Sequence, residues 1–258
     1  MILRKGLFEF MNKGKIYFAS DFHLGVPTRE KSLEREKRIV SWMDEIKKDA
    51  AELYLMGDLF DFWFEYRKAI PKGFTRLLGK IAEFCDAGIP VYLFTGNHDM
   101  WMFDYLQDEL GVTIYRKPIT REFNGKKFFL AHGDGLGPGD HSYKFLKKVF
   151  ENALLQWMFA RIHPNTGIGI ANFWSKRSRL STGAGDKDTW KGEDDEFLVQ
   201  FVKETLKKEH YDYFIFGHRH LPLQLQIGNA LYVNLGEWVN YSSYAVFDGE
   251  KLELKHFA

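Results

Sequence analysis

The chain has 258 residues, and its 36 Lys and Arg nearly cancel its 35 Asp and Glu, which excludes a protein built chiefly to hold nucleic acid. Hydrophobic residues at 45% and aromatics at 17% supply a sizeable core for one large domain or two small ones. A single cysteine, Cys85, excludes an internal disulfide and fits a reducing, cytoplasmic compartment, and no apolar run reaches the roughly 20 residues of a membrane span.

Residues 1–14 read as an N-terminal extension, charged throughout and without a signal-peptide core, with Met11 close before the first strand. Residues 16–20 form an apolar run of strand length, and residues 31–48 carry Leu33, Ile39, Val40, Met43 and Ile46 at helical spacing. A second strand at 53–56 leads into an aromatic-rich loop. A helix over 74–87 stops at Gly88 before Pro90, and a third strand follows at 91–95. This alternation implies parallel strands with right-handed crossovers. After a helix at 101–110 come strands at 112–115, 120–123 and 127–131, the last two joined by a hairpin at Asn124-Gly125. A helix at 196–209 precedes strands at 213–216, 223–227, 231–234, 244–248 and 251–256. The whole reads as two mixed sheets packed face to face with helices outside, in one domain spanning 1–258.

The segment 141–190 breaks this rhythm. Residues 143–162 read as one long helix whose apolar residues cover more surface than a core face needs. Pro164, a Gly-Ile-Gly-Ile turn and the basic run Lys176-Arg177-Ser178-Arg179 follow. The segment is expected to be an inserted helical lid, with a surface suited to an amphiphilic ligand.

Five apolar runs end in chemistry-bearing residues: Asp21-Phe22-His23, Gly57-Asp58, Gly96-Asn97-His98-Asp99, His132-Gly133-Asp134 and Gly217-His218-Arg219-His220. One such ending means little, but five in order describe a sheet that delivers ligands to one edge. Asp, His and Asn without Cys suit Mn²⁺, with Fe or Zn²⁺ as alternatives. Asp58 can bridge two divalent metal ions, with Asp21, His23 and His220 completing one shell and Asn97, His132 and His218 the other. Such a pair, about 3.5–4 Å apart, clamps a phosphoryl group for in-line attack. His141, His163, His210 and His256 lack this context and read as structural.

The order D-x-H, G-D, G-N-H-D, H, G-H-x-H resembles the calcineurin-like metallophosphoesterase superfamily from Ile16 to the end of the chain. The resemblance implies an α/β fold, a four-layer α/β/β/α sandwich. It also implies that His98, paired with Asp61, serves catalysis near the leaving group, while Asp61 and Asp99 have loop capping as their alternative role. Within the superfamily the chain resembles the UDP-2,3-diacylglucosamine pyrophosphohydrolases of bacterial lipid A biosynthesis. That likeness rests on Ser20-Asp21-Phe22-His23-Leu24, Gly57-Asp58-Leu59-Phe60-Asp61-Phe62-Trp63, His132-Gly133-Asp134-Gly135 and Asp140-His141-Ser142-Tyr143-Lys144. It departs at His98, where that family's best-known members have Arg.

What this likeness implies is attack of water on the α-phosphorus of a UDP-linked, doubly acylated sugar, releasing UMP. Asn97, His98 and Tyr143 would bind the substrate, together with Arg177, Ser178 and Arg179 of the basic run. The expected partners are that nucleotide-sugar lipid and, peripherally, the anionic inner-membrane surface, with no nucleic acid and no protein partner. The alternative is a phosphoesterase for a soluble nucleotide, cyclic nucleotide or phosphoprotein, which gives no reason for the apolar excess at 143–162. A non-enzymatic scaffold would have eroded ligands, and here none is missing.

Overall fold

In the computed structural model, residues 14–139, 141–181, 189–190 and 192–258 are described, without the side chains of residues 142, 172, 174 and 176–181. The expected extension lies outside the described residues except for Gly14, and so do the side chains of Arg177, Ser178 and Arg179.

β1 (Lys15–Ala19) is apolar on both faces because it lies inside a sheet. Its neighbours are β2 (Ala50–Leu55), parallel to it, and β10 (Ser243–Phe247), antiparallel. With β3 (Val91–Phe94), β4 (Thr113–Tyr115) and β11 (Leu252–His256) the sheet has six strands in the order β11-β10-β1-β2-β3-β4. The second sheet runs β5-β6-β7-β9-β8, built from β5 (Ile119–Phe123), β6 (Lys126–Leu130), β7 (Tyr213–Phe216), β8 (Pro222–Ile227) and β9 (Ala230–Leu235). Asn124 and Gly125 turn the β5–β6 hairpin with positive φ at both positions, as the sequence requires.

One core cluster fills the space between the sheets, with Phe18, Tyr54 and Phe94 of the first against Phe128, Ile215 and Val233 of the second. A second cluster joins the outer face of the first sheet to α1 (Arg29–Ile46), α2 (Thr75–Asp86) and α3 (Tyr105–Leu110). A third packs α7 (Phe197–Leu206) on the outer face of the second sheet. The expected α/β/β/α layering results. Parallel pairing of β1, β2 and β3, and of β6 with β7, sends the ends of each set the same way, so the ligand motifs leave strand ends of matching polarity.

Several boundaries differ from the sequence reading. The buried face of α1 includes Arg35, Glu36 and Trp42, whereas Leu33 and Val40 are only half-buried. Glu36 crosses to α2 and accepts the N–H groups of Arg76 at 2.9 Å and Leu77 at 3.1 Å, a cap that α2 lacks of its own. α3 begins at Tyr105 rather than near 101, because Trp101 bridges to Phe64 and Glu65 accepts the N–H groups of Phe103, Asp104 and Tyr105.

The segment expected to be a lid, between β6 and α7, contains three helices: α4 (His141–Phe150), α5 (Ala153–Phe159) and α6 (Pro164–Ser181). The single helix expected over 143–162 is broken at Asn152, whose side chain caps α5 by accepting from Leu154 and Leu155 at 3.0 and 3.2 Å. The expected Gly-Ile-Gly-Ile turn is helical. Pro164 starts that helix at the position where its missing N–H costs nothing.

Candidate metal centre

The ligand motifs emerge from the strands in strained backbone. Asp21, His23, Asp58 and His218 all have positive φ, at 55°, 44°, 54° and 65°. Each such residue costs on the order of 1–3 kcal/mol and persists only where its surroundings hold it. Backbone bonds do part of that: Asp21 N–H donates to Gly57 at 3.0 Å and His23 N–H to Asp58 at 2.9 Å. Arg35 does more, its guanidinium donating to the carbonyls of Phe22 at 2.7 Å and of His23 and Val26 at 2.5 Å. Two glycines permit close approach. A Cβ on Gly96 would fall on the Asp58 carboxylate, and one on Gly217 would fall on Ser20 and Asp21.

Among the described residues these ends converge as two neighbouring groups, Asp21 with His23 and His220, and Asp58 with His132 and His218. In the first, Asp21 Oδ1 lies 3.4 Å from His23 Nε2 and 3.5 Å from His220 Nε2, and the two imidazole nitrogens are 3.1 Å apart. In the second, Asp58 Oδ2 is 3.4 Å from His132 Nε2, and Asn97 Oδ1 is 2.9 Å from His218 Nδ1. Asp58 Oδ2 also stands 3.9 Å from His23 Nε2, so this carboxylate faces both groups. His132 Nδ1 is 2.8 Å from the Met56 carbonyl, to which it donates, and this aims Nε2 toward Asp58 and Asn97.

Asp21 Oδ1 and Asp58 Oδ2 are buried with no hydrogen-bond partner among the described residues. Buried carboxylate oxygens left without donors, ringed by imidazole nitrogens and a carboxamide oxygen, are what divalent cations would satisfy. The donor set fits them.

Burial alone would raise Asp21, but the imidazoles of His220 and His23, 3.5 and 3.4 Å from Oδ1, outweigh it and hold the carboxyl well below its ordinary range. Asp58 is likewise lowered against its burial, chiefly by His132. Burial pulls His23 down to about 4, leaving it neutral and able to donate a lone pair. His132 goes the other way, up to about 10, because the Asp58 charge outweighs burial.

Asp99 accepts backbone N–H groups from Leu59 at 2.7 Å and Gly96 at 2.8 Å, tying the Asp58 loop to the Asn97 loop. Capping is its role in the fold. His98 and Asp61 sit together beside the first group. His98 Nδ1 is 3.0 Å from the Asp61 carbonyl and 3.6 Å from its Oδ1, and with His23 the pair forms a third cluster of metal-compatible residues. Tyr143 reaches the site's edge, donating its hydroxyl to Asp134 with its ring 6.4 Å from that of His218. His141, His163, His210 and His256 join none of these groups among the described residues.

Some contributors were not singled out in the sequence. Ser20 and the His218 N–H both bond Asp21 Oδ2, and Arg219, between His218 and His220, pairs with Glu196 at 2.7 Å. Ser175 of α6 reaches Asp61 at 2.9 Å. A signal existed for Arg35 alone: a charged residue on the face of α1 that also carries Ile39 and Met43.

Residues 14–222 match the family model described as calcineurin-like phosphoesterase. The chain belongs to that family. This phosphoesterase is a hydrolase with side chains fit for divalent metals. It is 40% identical over 258 residues to the UDP-2,3-diacylglucosamine hydrolase of Porphyromonas gingivalis, covering 94% of this chain and 97% of that protein. The protein of the same name from Vibrio atlanticus is 27% identical, covering 94% and 97%. Among solved structures, an archaeal phosphodiesterase is similar at 15% identity and a TM-score of 0.47, covering 94% of this chain and 99% of that one.

Proposed function

We propose that this phosphoesterase hydrolyses the pyrophosphate of UDP-2,3-diacylglucosamine, giving UMP and 2,3-diacylglucosamine 1-phosphate. The observation that carries the reading is the lid. No residue of α5 is buried, and Phe145, Leu154, Trp157, Met158 and Phe173 are each more than half exposed. An apolar surface of this kind beside a phosphoesterase centre suits a substrate with acyl chains, each buried methylene contributing about 0.8 kcal/mol. The names of the two relatives point the same way.

In this reading the chain works as one domain, 1–258, with 141–190 as its lid. Asp21, His23, Asp58, Asn97, His132, His218 and His220 hold two divalent cations, Mn²⁺ by the hardness of the donor set, with Fe and Zn²⁺ as alternatives. When bound, such a pair supplies Lewis acidity to phosphoryl oxygens and lowers the pKa of water. His98 and Asp61 act at the leaving group. With Nδ1 facing the Asp61 carbonyl, His98 has Nε2 left to meet the departing phosphate oxygen. The P–O bond to the sugar phosphate breaks, and the oxygen of water ends on UMP. Asn97, His98, Tyr143, Arg177, Ser178 and Arg179 contact the substrate. The protein works in the cytoplasm, and the basic run brings the lid peripherally to the anionic inner-membrane surface.

The test is kcat/KM for UDP-2,3-diacylglucosamine against UDP-N-acetylglucosamine and bis(p-nitrophenyl) phosphate, with ¹⁸O-water locating the attacked phosphorus. The lipid should be preferred by at least about a hundredfold, the equivalent of a few buried methylenes, and the label should appear in UMP. Equal efficiency on all three compounds would mean that the lid is ordinary packing and the substrate is soluble.

A further inference from the structure

The lid touches the catalytic loops by polar contacts as well as by packing. At its start, Lys147 pairs with Asp134 at 2.7 Å, two residues beyond His132. Just beyond its end, at the start of α7, Glu196 pairs with Arg219, between His218 and His220. Midway, Ser175 of α6 donates its hydroxyl to Asp61 Oδ2 at 2.9 Å and lies 3.4 Å from His98 Nδ1.

We infer that Ser175 is a positioning residue for the hydrolysis, fixing the Asp61–His98 pair so that seating of α6 and alignment of His98 are one event. This rests on the roles proposed above for His98 and Asp61.

The argument is geometric. The Asp61 carboxylate is 4% exposed and stands between two imidazoles, with Oδ1 at 3.6 Å from His98 Nδ1 and 3.9 Å from His23 Nδ1. Neither distance is a hydrogen bond, so those rings alone do not fix the rotation of the carboxylate. Ser175 bonds the opposite oxygen at 2.9 Å and so adds a directed contact that holds the side-chain torsion of Asp61. His98 Nδ1 then meets a fixed carboxylate as well as the Asp61 carbonyl at 3.0 Å, which fixes the ring's plane and its tautomer.

Helix α6 is placed finely enough for this. Gly167, about two turns before Ser175, has no room for a Cβ because the Tyr66 hydroxyl lies there, with the Phe159 ring just beyond. A helix seated against that aromatic floor holds its later hydroxyl at a fixed depth. A residue that only shaped the lid would have no reason to contact the His98–Asp61 pair. A residue that only bound the acylated substrate would not influence a diester lacking acyl chains.

The experiment uses the metal-loaded enzyme and bis(p-nitrophenyl) phosphate, with Ser175→Ala, Ser175→Thr, His98→Ala and the Ser175→Ala/His98→Ala double variant. Ser175→Ala should lower kcat roughly tenfold, the equivalent of one hydrogen bond to a charged group, with KM little changed. Ser175→Thr, which keeps the hydroxyl, should recover most of the rate. In the His98→Ala background the Ser175 replacement should cause no further loss, because the two act as one unit. Independently of activity, ¹⁵N shifts of the His98 ring in the metal-free protein should change between the wild type and Ser175→Ala, as the ring loses the fixed carboxylate beside Nδ1. Unchanged kcat and ring shifts in Ser175→Ala, or an undiminished loss in the His98→Ala background, would overturn the inference. A wild type that cleaves this diester but not UDP-2,3-diacylglucosamine would instead sink the substrate proposed above and leave Ser175 testable.

Discussion

Arg35 offers a demanding test of how the metal-centre loop is held. Its buried guanidinium donates to the carbonyls of Phe22, His23 and Val26 at 2.7, 2.5 and 2.5 Å. Arg35→Met keeps the aliphatic stem and removes all three donors. Each bond from a charged group contributes about 1.5 kcal/mol at the low end, appropriate where a loop carbonyl can regain water, so the loss is about 4.5 kcal/mol. In a protein of this size that lowers Tm by about 9–18 °C. The loop it clamps carries His23 at positive φ, and loss of such an outer partner weakens metal binding by about 10–100-fold. Arg35→Lys, a single point donor that cannot span three carbonyls, should fall between Met and wild type. Calorimetry of the three proteins, with Mn²⁺ titrated into each, measures both effects. A Met variant that melts with the wild type and binds Mn²⁺ equally well would refute the clamp.

Asp58→Ala should lose both cations and nearly all turnover, and metal analysis beside an assay with added Mn²⁺ tests this; full activity with both metals present would end the bridging assignment. His98→Ala should lower kcat by roughly 10²–10⁴-fold with metal content unchanged, whereas loss of metal would move His98 among the ligands. Trp157 and Phe159 should separate: Trp157 is 55% exposed, so Trp157→Gln should raise KM for the acylated substrate and leave Tm alone. Phe159 packs on Phe64 at 4.8 Å and Trp101 at 5.0 Å, so Phe159→Ala should loosen the lid by about 3 kcal/mol, read as faster amide exchange in α5; equal behaviour of the two variants would contradict the division.

The strands and their ligand-bearing ends were legible because each is local: an apolar run followed at once by Asp, His or Asn. The layering followed from the alternation of strand and helix. What escaped depended on partners distant in sequence. Glu36 lies 40 residues from the helix end it caps at Arg76, and Ser175 lies 114 from Asp61. Periodicity also joined α4 to α5, since apolar spacing carries across residues 151 and 152 and only the capping bonds of Asn152 mark the break. In the same way the glycines of α6 suggested a turn, because the surrounding aromatics that accommodate Gly167 come from other elements.

Among the described residues, none of the three core clusters takes a side chain from α4, α5 or α6. These helices therefore rest on the body through the aromatic loop, with Phe159 against Phe64 and Trp101, and not through the cores that hold the sheets together. Insertions at such sites are tolerated in length and composition. Sequence drift in these helices can therefore alter their apolar surface while the strand ends stay intact, subject to the few polar tethers, Lys147 to Asp134 and Ser175 to Asp61.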